Sequence, residues 1–178
     1  MANVIPSTVI DGVVIVEPKV FADDRGLFVE TYRQEWLPGT PAMVQANRAD
    51  RKAGCLVGLH YHLHQADYWY VPAGRALVAL HDLRASSATD GTSLTLELGD
   101  GDHRGVYIPP GVAHGFCAIT DLTITYLVDR YYDPEDELGV AWDDPALAID
   151  WPTRTPLLSR RDEQNPRRDD IPPGLRPG

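Results

Sequence analysis

Residues 54–74, GCLVGLHYHLHQADYWYVPAG, combine β-branched and aromatic residues with three closely spaced histidines. This composition is typical of β-strands, and the glycines at its ends are typical of turns. Successive side chains of a strand point to opposite faces, so His60 and His62, with His64 as a further candidate, should project from the same face. The segment therefore predicts strand structure that carries a histidine cluster.

Segments of the same strand-like kind recur along the chain, separated by Gly, Pro, Asp or Ser clusters. They are TVIDGVVIVEPKVF (8–21), ADYWYVPAG (66–74), RALVALHDLR (75–84), LTLELGD (94–100), GVYIPPG (105–111), HGFCAI (114–119) and LTITYLVDRYY (122–132). Helical periodicity is weak, and the one short helix that we expect lies around Arg33 to Trp36. The pattern predicts an all-β fold in a single domain over residues 1–178. Its Pro-rich and charged end, from about Pro166, should lie on the surface or fray.

A further histidine follows a Pro-Pro-Gly turn in IPPGVAHGF (108–116). A turn of this kind that leads into a strand can return His114 to the mouth of the same barrel. We therefore predict a pocket built around His60, His62 and His114. His81 and His103 have the surroundings of ordinary strand and loop residues.

The composition limits the classes of function. The 178 residues include 26 acidic and 16 basic side chains, for a net charge of −10, which disfavours nucleic acid as a partner because a phosphate backbone requires a basic face. We find no apolar run long enough for a membrane span and no signal-peptide pattern, so we expect a cytoplasmic protein without a membrane partner. Cys55 and Cys117 are expected to be small buried residues rather than a disulfide.

Residues 54–74 resemble the first motif of the cupins, whose fold is a double-stranded β-helix, or jelly roll. The match comprises Gly54, His60, His62, Asp67 and Gly74, with aspartate where glutamate is usual. The second cupin motif is matched at its centre by the Pro-Pro-Gly turn and its histidine. The cupin pattern implies one divalent ion on imidazole and carboxylate ligands, which here would be His60, His62, Asp67 and His114.

A second resemblance extends over most of the chain, to the dTDP-4-dehydrorhamnose 3,5-epimerase family, which itself has a cupin fold. It is carried by FADDRGLFVE (21–30), VQAN (44–47), GLHY (58–61), DLR (82–84), IPPGVAHGF (108–116), WDDP (142–145), IDWP (149–152) and LSRRD (158–162), together with Tyr126, Tyr131 and Tyr132. The resemblance implies an enzyme of deoxysugar biosynthesis, such as the rhamnose pathway. Such an enzyme inverts carbons beside the ketone of a nucleotide-linked 4-keto-6-deoxy sugar.

The resemblance also implies roles for individual residues. His60, oriented by Asp162, would be the base, and Tyr126 would return a proton on the opposite face of the sugar. The residues implied in substrate binding are Arg25, Glu30, Gln45, Asn47, His114, Tyr132, Trp142 and Arg161. No cofactor is implied. The family also pairs its subunits by adding an N-terminal strand to a neighbouring sheet, so we expect a homodimer in which residues 8–14 play that part.

Three positions depart from the family pattern, and taken together the three changes favour a metal site. Val57 stands where a phosphate-binding arginine is usual, and His62 replaces a glutamine. Asp67 stands where a lysine normally helps hold the enolate oxygen, and it carries the wrong sign for that task.

Three hypotheses follow from this mixture of matches and departures. The first, favoured by the number of matched positions, is a metal-free epimerase that inverts carbon 3, carbon 5 or both, with Arg48, Arg51 or Arg161 compensating at the phosphates. The second is a metal-dependent cupin isomerase, hydrolase or oxygenase, which would use Zn, Fe, Mn or Ni on the three histidines and one aspartate. The third is a non-catalytic module that binds the sugar nucleotide.

Overall fold

The computed structural model describes residues 2–178, and β-strands make up most of its regular structure. The strands are β1 (Asn3–Pro6), β2 (Val14–Glu17), β3 (Val20–Asp23), β4 (Gly26–Val29), β5 (Gln45–Arg51), β6 (Leu56–Tyr61), β7 (Asp67–Ala73), β8 (Arg75–Asp82), β9 (Ser93–Gly99), β10 (Gly105–Ile108), β11 (Val112–Ala118), β12 (Leu122–Val128) and β13 (Leu138–Gly139). The helical segments are short 3₁₀ turns at Gln34–Trp36, Pro145–Leu147, Asp162–Gln164, Arg168–Asp170 and Pro173–Leu175. The all-β prediction is confirmed, and the expected short helix is the turn at Gln34–Trp36.

Two antiparallel sheets form the body of the fold. One has the strand order β1-β2-β10-β7-β12-β5, and the other has the order β13-β6-β11-β8-β9. Strands that are distant in sequence lie side by side in both sheets, as the jelly-roll prediction requires. The strands β3 and β4 pair only with each other and form a separate hairpin.

The main hydrophobic core lies between the two sheets. Alternate residues of the strands point inward, because successive side chains of a strand face opposite ways. The buried residues include Trp69, Val78, Leu80, Leu98, Val106, Ile108, Phe116 and Ile124. This core holds β6, β7, β11 and β12 in the positions from which the site is built.

The C-terminal part of the chain covers the outer face of the five-stranded sheet. Leu147, Trp151 and Ile171 are buried there against residues of that sheet. Arg168 and Arg176 each place a guanidinium nitrogen 2.7 Å from a carboxylate oxygen of Asp90. The charged end of the chain is thus held on the surface by a buried isoleucine and a shared carboxylate.

The structure of the N-terminal region contradicts the expectation that residues 8–14 form an intersubunit strand. Residues 8–14 do not form a strand that could pair with a neighbouring subunit; most of them form the turn between β1 and β2. Ile10 and Val13 of this turn are fully buried in the main core, where a partner's sheet could not reach them.

The remaining expectations concern the cysteines and the membrane. Cys55 and Cys117 are free thiols; Cys117 is buried as expected, and Cys55 is only partly so. Within residues 2–178, no helix has the length and the apolar character needed to span a membrane.

Candidate active site

A cavity of about 440 Å³ opens between the two sheets, and three of the six histidines line it. The lining residues are Gln45, Asn47, Arg51, Val57, His60, His62, Gln65, Asp67, Trp69, His114, Phe116, Ile124, Tyr126, Val128, Tyr132, Glu137 and Arg161. The predicted grouping of His60, His62 and His114 is therefore present, whereas His64 lies outside this lining. Polar and charged side chains outnumber apolar ones in this lining, which suits a small molecule with many hydrogen-bonding groups.

The pairing of β6 with β11 brings the histidines together. His60 lies opposite His114 in the strand register, and His62 follows β6 directly after its last residue. Two residues before His60, the backbone of Gly58 has a φ of +105°, and a Cβ atom there would lie 2.7 Å from the carbonyl oxygen of His114. Only glycine allows this close approach of the two strands.

His60 is held by a carboxylate that is distant in sequence. Its Nε2 atom lies 2.6 Å from Oδ1 of Asp162, whose side chain is 3% exposed. Burial opposes the charge on Asp162, but hydrogen bonds from His60, Ser159 and the backbone of Gly58 together lower its pKa. Because an ionised carboxylate can only accept, Nε2 carries a proton, and the neutral form of the ring has its lone pair on Nδ1.

The second nitrogen of His60 has a neighbour that sequence reasoning missed. Nδ1 lies 3.7 Å from Oε1 of Glu137. Arg161 donates hydrogen bonds to the side chain of Glu137 at 3.1 Å and to its backbone carbonyl at 2.9 Å. Arg161 therefore lines the cavity as part of an ion pair with Glu137, and its role in substrate binding stays a prediction.

Tyr126 lines the cavity from β12, in the opposite sheet. It is paired in register with Asn47 of β5 on one side and with Trp69 of β7 on the other. Burial and the nearby carboxylate of Asp67 raise the pKa of Tyr126. The phenol is thus in its protonated form at neutral pH, in which it can donate a proton.

His62, Asp67 and His114 form a buried cluster of their own. Nε2 of His62 lies 3.8 Å from one oxygen of Asp67, and Nε2 of His114 lies 4.0 Å from the other. Burial lowers the pKa of His114, against the opposing effect of Asp67. His60 is not part of this cluster, so the set of four ligands considered from sequence is reduced to three.

Three more of the predicted substrate-binding residues lie at the cavity. Gln45 and Asn47 are two residues apart on β5 and share a face, where the Gln45 amide donates to Oδ1 of Asn47 at 2.9 Å. Tyr132 lies at the cavity mouth with 65% of its surface exposed.

Three other predicted residues do not line this cavity. Arg25 is 90% exposed at the tip of the β3–β4 hairpin and pairs with Asp23, and Glu30 directly follows the same hairpin. The hairpin forms a sheet of its own, which is why both lie away from the cavity. Trp142 instead packs against the hydrophobic cluster that covers the outer face of the five-stranded sheet. A substrate-binding role for these three residues stays a prediction.

The cavity also contains residues that sequence reasoning did not assign to it. Gln65 and Trp69 flank Asp67, and each donates a hydrogen bond to one of its oxygens, at 2.9 and 3.0 Å. Their spacing of two residues on either side of Asp67 is a signal that strand periodicity could have supplied. Arg51, named above as a candidate phosphate ligand, lines the cavity, whereas Arg48 is paired with Asp50 at the surface.

A model of the dTDP-4-dehydrorhamnose 3,5-epimerase family matches residues 7–170 of the chain. A protein of Shigella flexneri with that name is 36% identical over 168 residues, which cover 90% of this chain and 92% of the relative. A dTDP-4-dehydrorhamnose 3-epimerase of Streptomyces niveus is 41% identical over 162 residues, which cover 86% of this chain and 78% of the relative.

Solved structures show the same similarity in three dimensions. A dTDP-6-deoxy-D-glucose-3,5-epimerase from Legionella pneumophila, solved in complex with dTDP-4-keto-L-rhamnose, superposes with a TM-score of 0.93. It is 34% identical in sequence, and the match covers 99% of this chain and 98% of that one. The resemblance inferred from the sequence motifs is confirmed.

Proposed function

Because the chain belongs to the dTDP-4-dehydrorhamnose 3,5-epimerase family, we propose that it inverts carbon 3, carbon 5 or both in a dTDP-linked 4-keto-6-deoxy sugar. The relatives include proteins named as 3,5-epimerases and one named as a 3-epimerase. The reaction is redox-neutral, and its two proton transfers use side chains of the chain itself. A redox cofactor is therefore not required.

His60 is the proposed base. A proton on a carbon beside a ketone is acidic enough to be taken by an imidazole, and the electron pair of the broken C–H bond moves to the ketone oxygen to form an enolate. The protonated ring is then stabilised by the buried carboxylate of Asp162, 2.6 Å away.

Tyr126 is the proposed acid. It projects from the sheet opposite to that of His60, so a sugar bound between them presents one face to each. The phenol donates its proton to the carbon on the face opposite to the one that lost a proton, and the C–H bond that forms there completes the inversion. The raised pKa of Tyr126 supports this role, since the phenol is protonated when the enolate forms.

Substrate binding is proposed to use the mouth of the cavity. Gln45 and Asn47 offer amide groups, and Arg51 and Arg161 are the lining residues whose guanidinium groups suit phosphate. Arg25 and Glu30 would reach a nucleotide only if their hairpin approached a cavity other than that of its own chain.

We also propose that the enzyme is a cytoplasmic homodimer. The hairpin exposes Phe21, Leu27 and Phe28, and all four residues of β1 are exposed. Apolar surface of this kind is typical of an interface between subunits. The two free thiols are in keeping with a reducing compartment.

The observation that carries the proposal is the hydrogen bond between His60 and Asp162, 102 residues apart, at the wall of a cavity that also contains Tyr126. The test is solvent deuterium incorporation into dTDP-4-keto-6-deoxyglucose, followed by NMR. We expect His60→Asn to abolish exchange at both carbons. Tyr126→Phe should remove net inversion while leaving some exchange, because the base can still remove and return a proton on its own face.

The matched control is His64→Gln, which changes a neighbouring histidine that does not line the cavity. Wild-type exchange in this variant shows that loss in His60→Asn is specific to the base. Undiminished exchange in His60→Asn would exclude His60 as the base, and absence of exchange in the wild-type protein would contradict the proposed reaction with this substrate.

A further inference from the structure

We propose that His62, Asp67 and His114 bind one divalent transition-metal ion at the inner wall of the cavity, beside His60 and separate from it. The three side chains are more than nine-tenths buried, and one ligand atom from each lies within 4.8 Å of the other two. Two imidazoles and one carboxylate are a ligand set that suits Zn²⁺, Fe²⁺, Mn²⁺ or Ni²⁺.

The hydrogen bonds of the two histidines direct the same nitrogen of each ring toward the cluster. Nδ1 of His62 lies 2.7 Å from the backbone carbonyl of Asp136, and Nδ1 of His114 lies 2.9 Å from that of Val112. A carbonyl oxygen can only accept, so each Nδ1 carries a proton, and the neutral form of each ring has its lone pair on Nε2. Both Nε2 atoms are the ones that approach Asp67.

Asp67 is oriented in a similar way. One of its oxygens accepts a hydrogen bond from the Gln65 amide, and the other accepts one from the Trp69 indole. Each oxygen still has a free lone pair, and neither is within hydrogen-bonding distance of a histidine, at 3.8 and 4.0 Å. Outer partners that hold ligands in this manner are a regular feature of metal sites.

With both rings neutral, the cluster consists of three acceptor groups that converge without a donor between them. A cation at the centre of such a buried set would compensate the charge of Asp67 and bind the two ring nitrogens. An ion with ligand bonds of about 2.1 Å requires donor atoms no more than about 4.2 Å apart. The two nitrogen-to-oxygen distances, each to a different oxygen of Asp67, meet this limit. One ligand atom from each of the three residues lies within 4.8 Å of the other two, so a small shift of the side chains would complete the geometry.

His60 is excluded from the site because its Nε2 is bonded to Asp162, and its Nδ1 faces Glu137. The base and the ligands are therefore different groups, and metal binding leaves the base free. The role of the ion in catalysis rests on the proposed function. A divalent ion here would supply the positive charge that stabilises an enolate oxygen, whereas Asp67 without the ion places a negative charge beside it.

The test uses untagged full-length protein, freed of metal with a chelator and then dialysed. Zn²⁺ is titrated by calorimetry, and Co²⁺ is followed by its visible absorption, which reports nitrogen and oxygen ligands directly. We expect one ion per chain. Asp67→Asn and His62→Gln should each weaken binding at least 100-fold and change the Co²⁺ spectrum.

Two control variants separate this site from other histidines. His64→Gln and His60→Asn should bind Zn²⁺ with wild-type stoichiometry and affinity. Loss of binding in His60→Asn would overturn the three-residue site in favour of a site that includes His60. Absence of stoichiometric binding, or equal binding by Asp67→Asn, would overturn the proposal altogether.

Deuterium exchange on the same samples distinguishes this proposal from the proposed function. Exchange at an undiminished rate in protein that does not bind Zn²⁺ would refute the metal site and leave the epimerase assignment intact. Stoichiometric binding that depends on Asp67 would uphold the metal site even if no exchange were observed with the sugar nucleotide.

Discussion

Asp162→Asn tests how much of the reactivity of His60 depends on its buried partner. The amide oxygen can still accept from Nε2 of His60, so the ring keeps its orientation, but the negative charge that stabilises the protonated ring is lost. A hydrogen bond to a charged group contributes about 1.5–3 kcal/mol. Because Asp162 is 3% exposed and its oxygen lies 2.6 Å from the ring, we expect a loss in this range, which is a fall in kcat of about 10-fold to 150-fold.

The assay is the initial rate of deuterium incorporation into dTDP-4-keto-6-deoxyglucose at several substrate concentrations, so that kcat and KM are separated. The effect should fall on kcat, since the charge is needed only once His60 has taken a proton. Asp150→Asn is the control, because it removes a carboxylate that is 93% exposed in the same part of the chain. An Asp162→Asn enzyme that folds and retains wild-type kcat would refute the reasoning.

Three further predictions concern stability and assembly. Burial opposes the charge of Asp82, but hydrogen bonds from Arg84 and nearby hydroxyls outweigh it and lower the pKa of Asp82 to about 2. The ionised carboxylate should therefore contribute about 2 kcal/mol to the free energy of unfolding above pH 4, and this contribution should be lost as the pH falls toward 2. In urea unfolding, Asp82→Asn should lose less stability over that pH range than the wild-type protein. Gly74→Ala should lower Tm by several degrees in calorimetry, because its Cβ would lie 2.2 Å from the carbonyl oxygen of Asp121 and φ is +76°; an unchanged Tm would contradict this. Phe28→Asp, in a side chain that is 64% exposed, should convert the proposed dimer to a monomer in analytical ultracentrifugation, and a dimer of unchanged affinity would place the interface elsewhere.

Part of the site could be predicted because its residues are close in sequence. His60 and His62 are two residues apart, and strand periodicity alone indicates a shared face. The resemblance added Asp162 and Tyr126 by motif, and the hydrogen bond that His60 donates to Asp162 is compatible with the orienting role that it implied. Glu137 was missed because it follows a turn-rich segment that carries no periodic pattern.

Other relations depend on how distant segments meet. The cupin resemblance placed His60 among four candidate ligands in the metal-dependent hypothesis. In the fold, the chain brings Asp162 to Nε2 of His60 and so separates the proposed base from the cluster of three. Arg25 and Glu30 belong to motifs that imply substrate binding, yet their hairpin pairs with no other strand of the described chain.

The sequence by itself determined the all-β fold class, the family and the histidine-rich pocket, since alternation of side chains and turn residues are local properties that each segment carries with it. The tertiary structure decided which nitrogen of each histidine is free and which carboxylate it faces. These properties depend on strand register and on the paths of the loops, which join residues as far apart as His60 and Asp162 and are set by packing of the whole core.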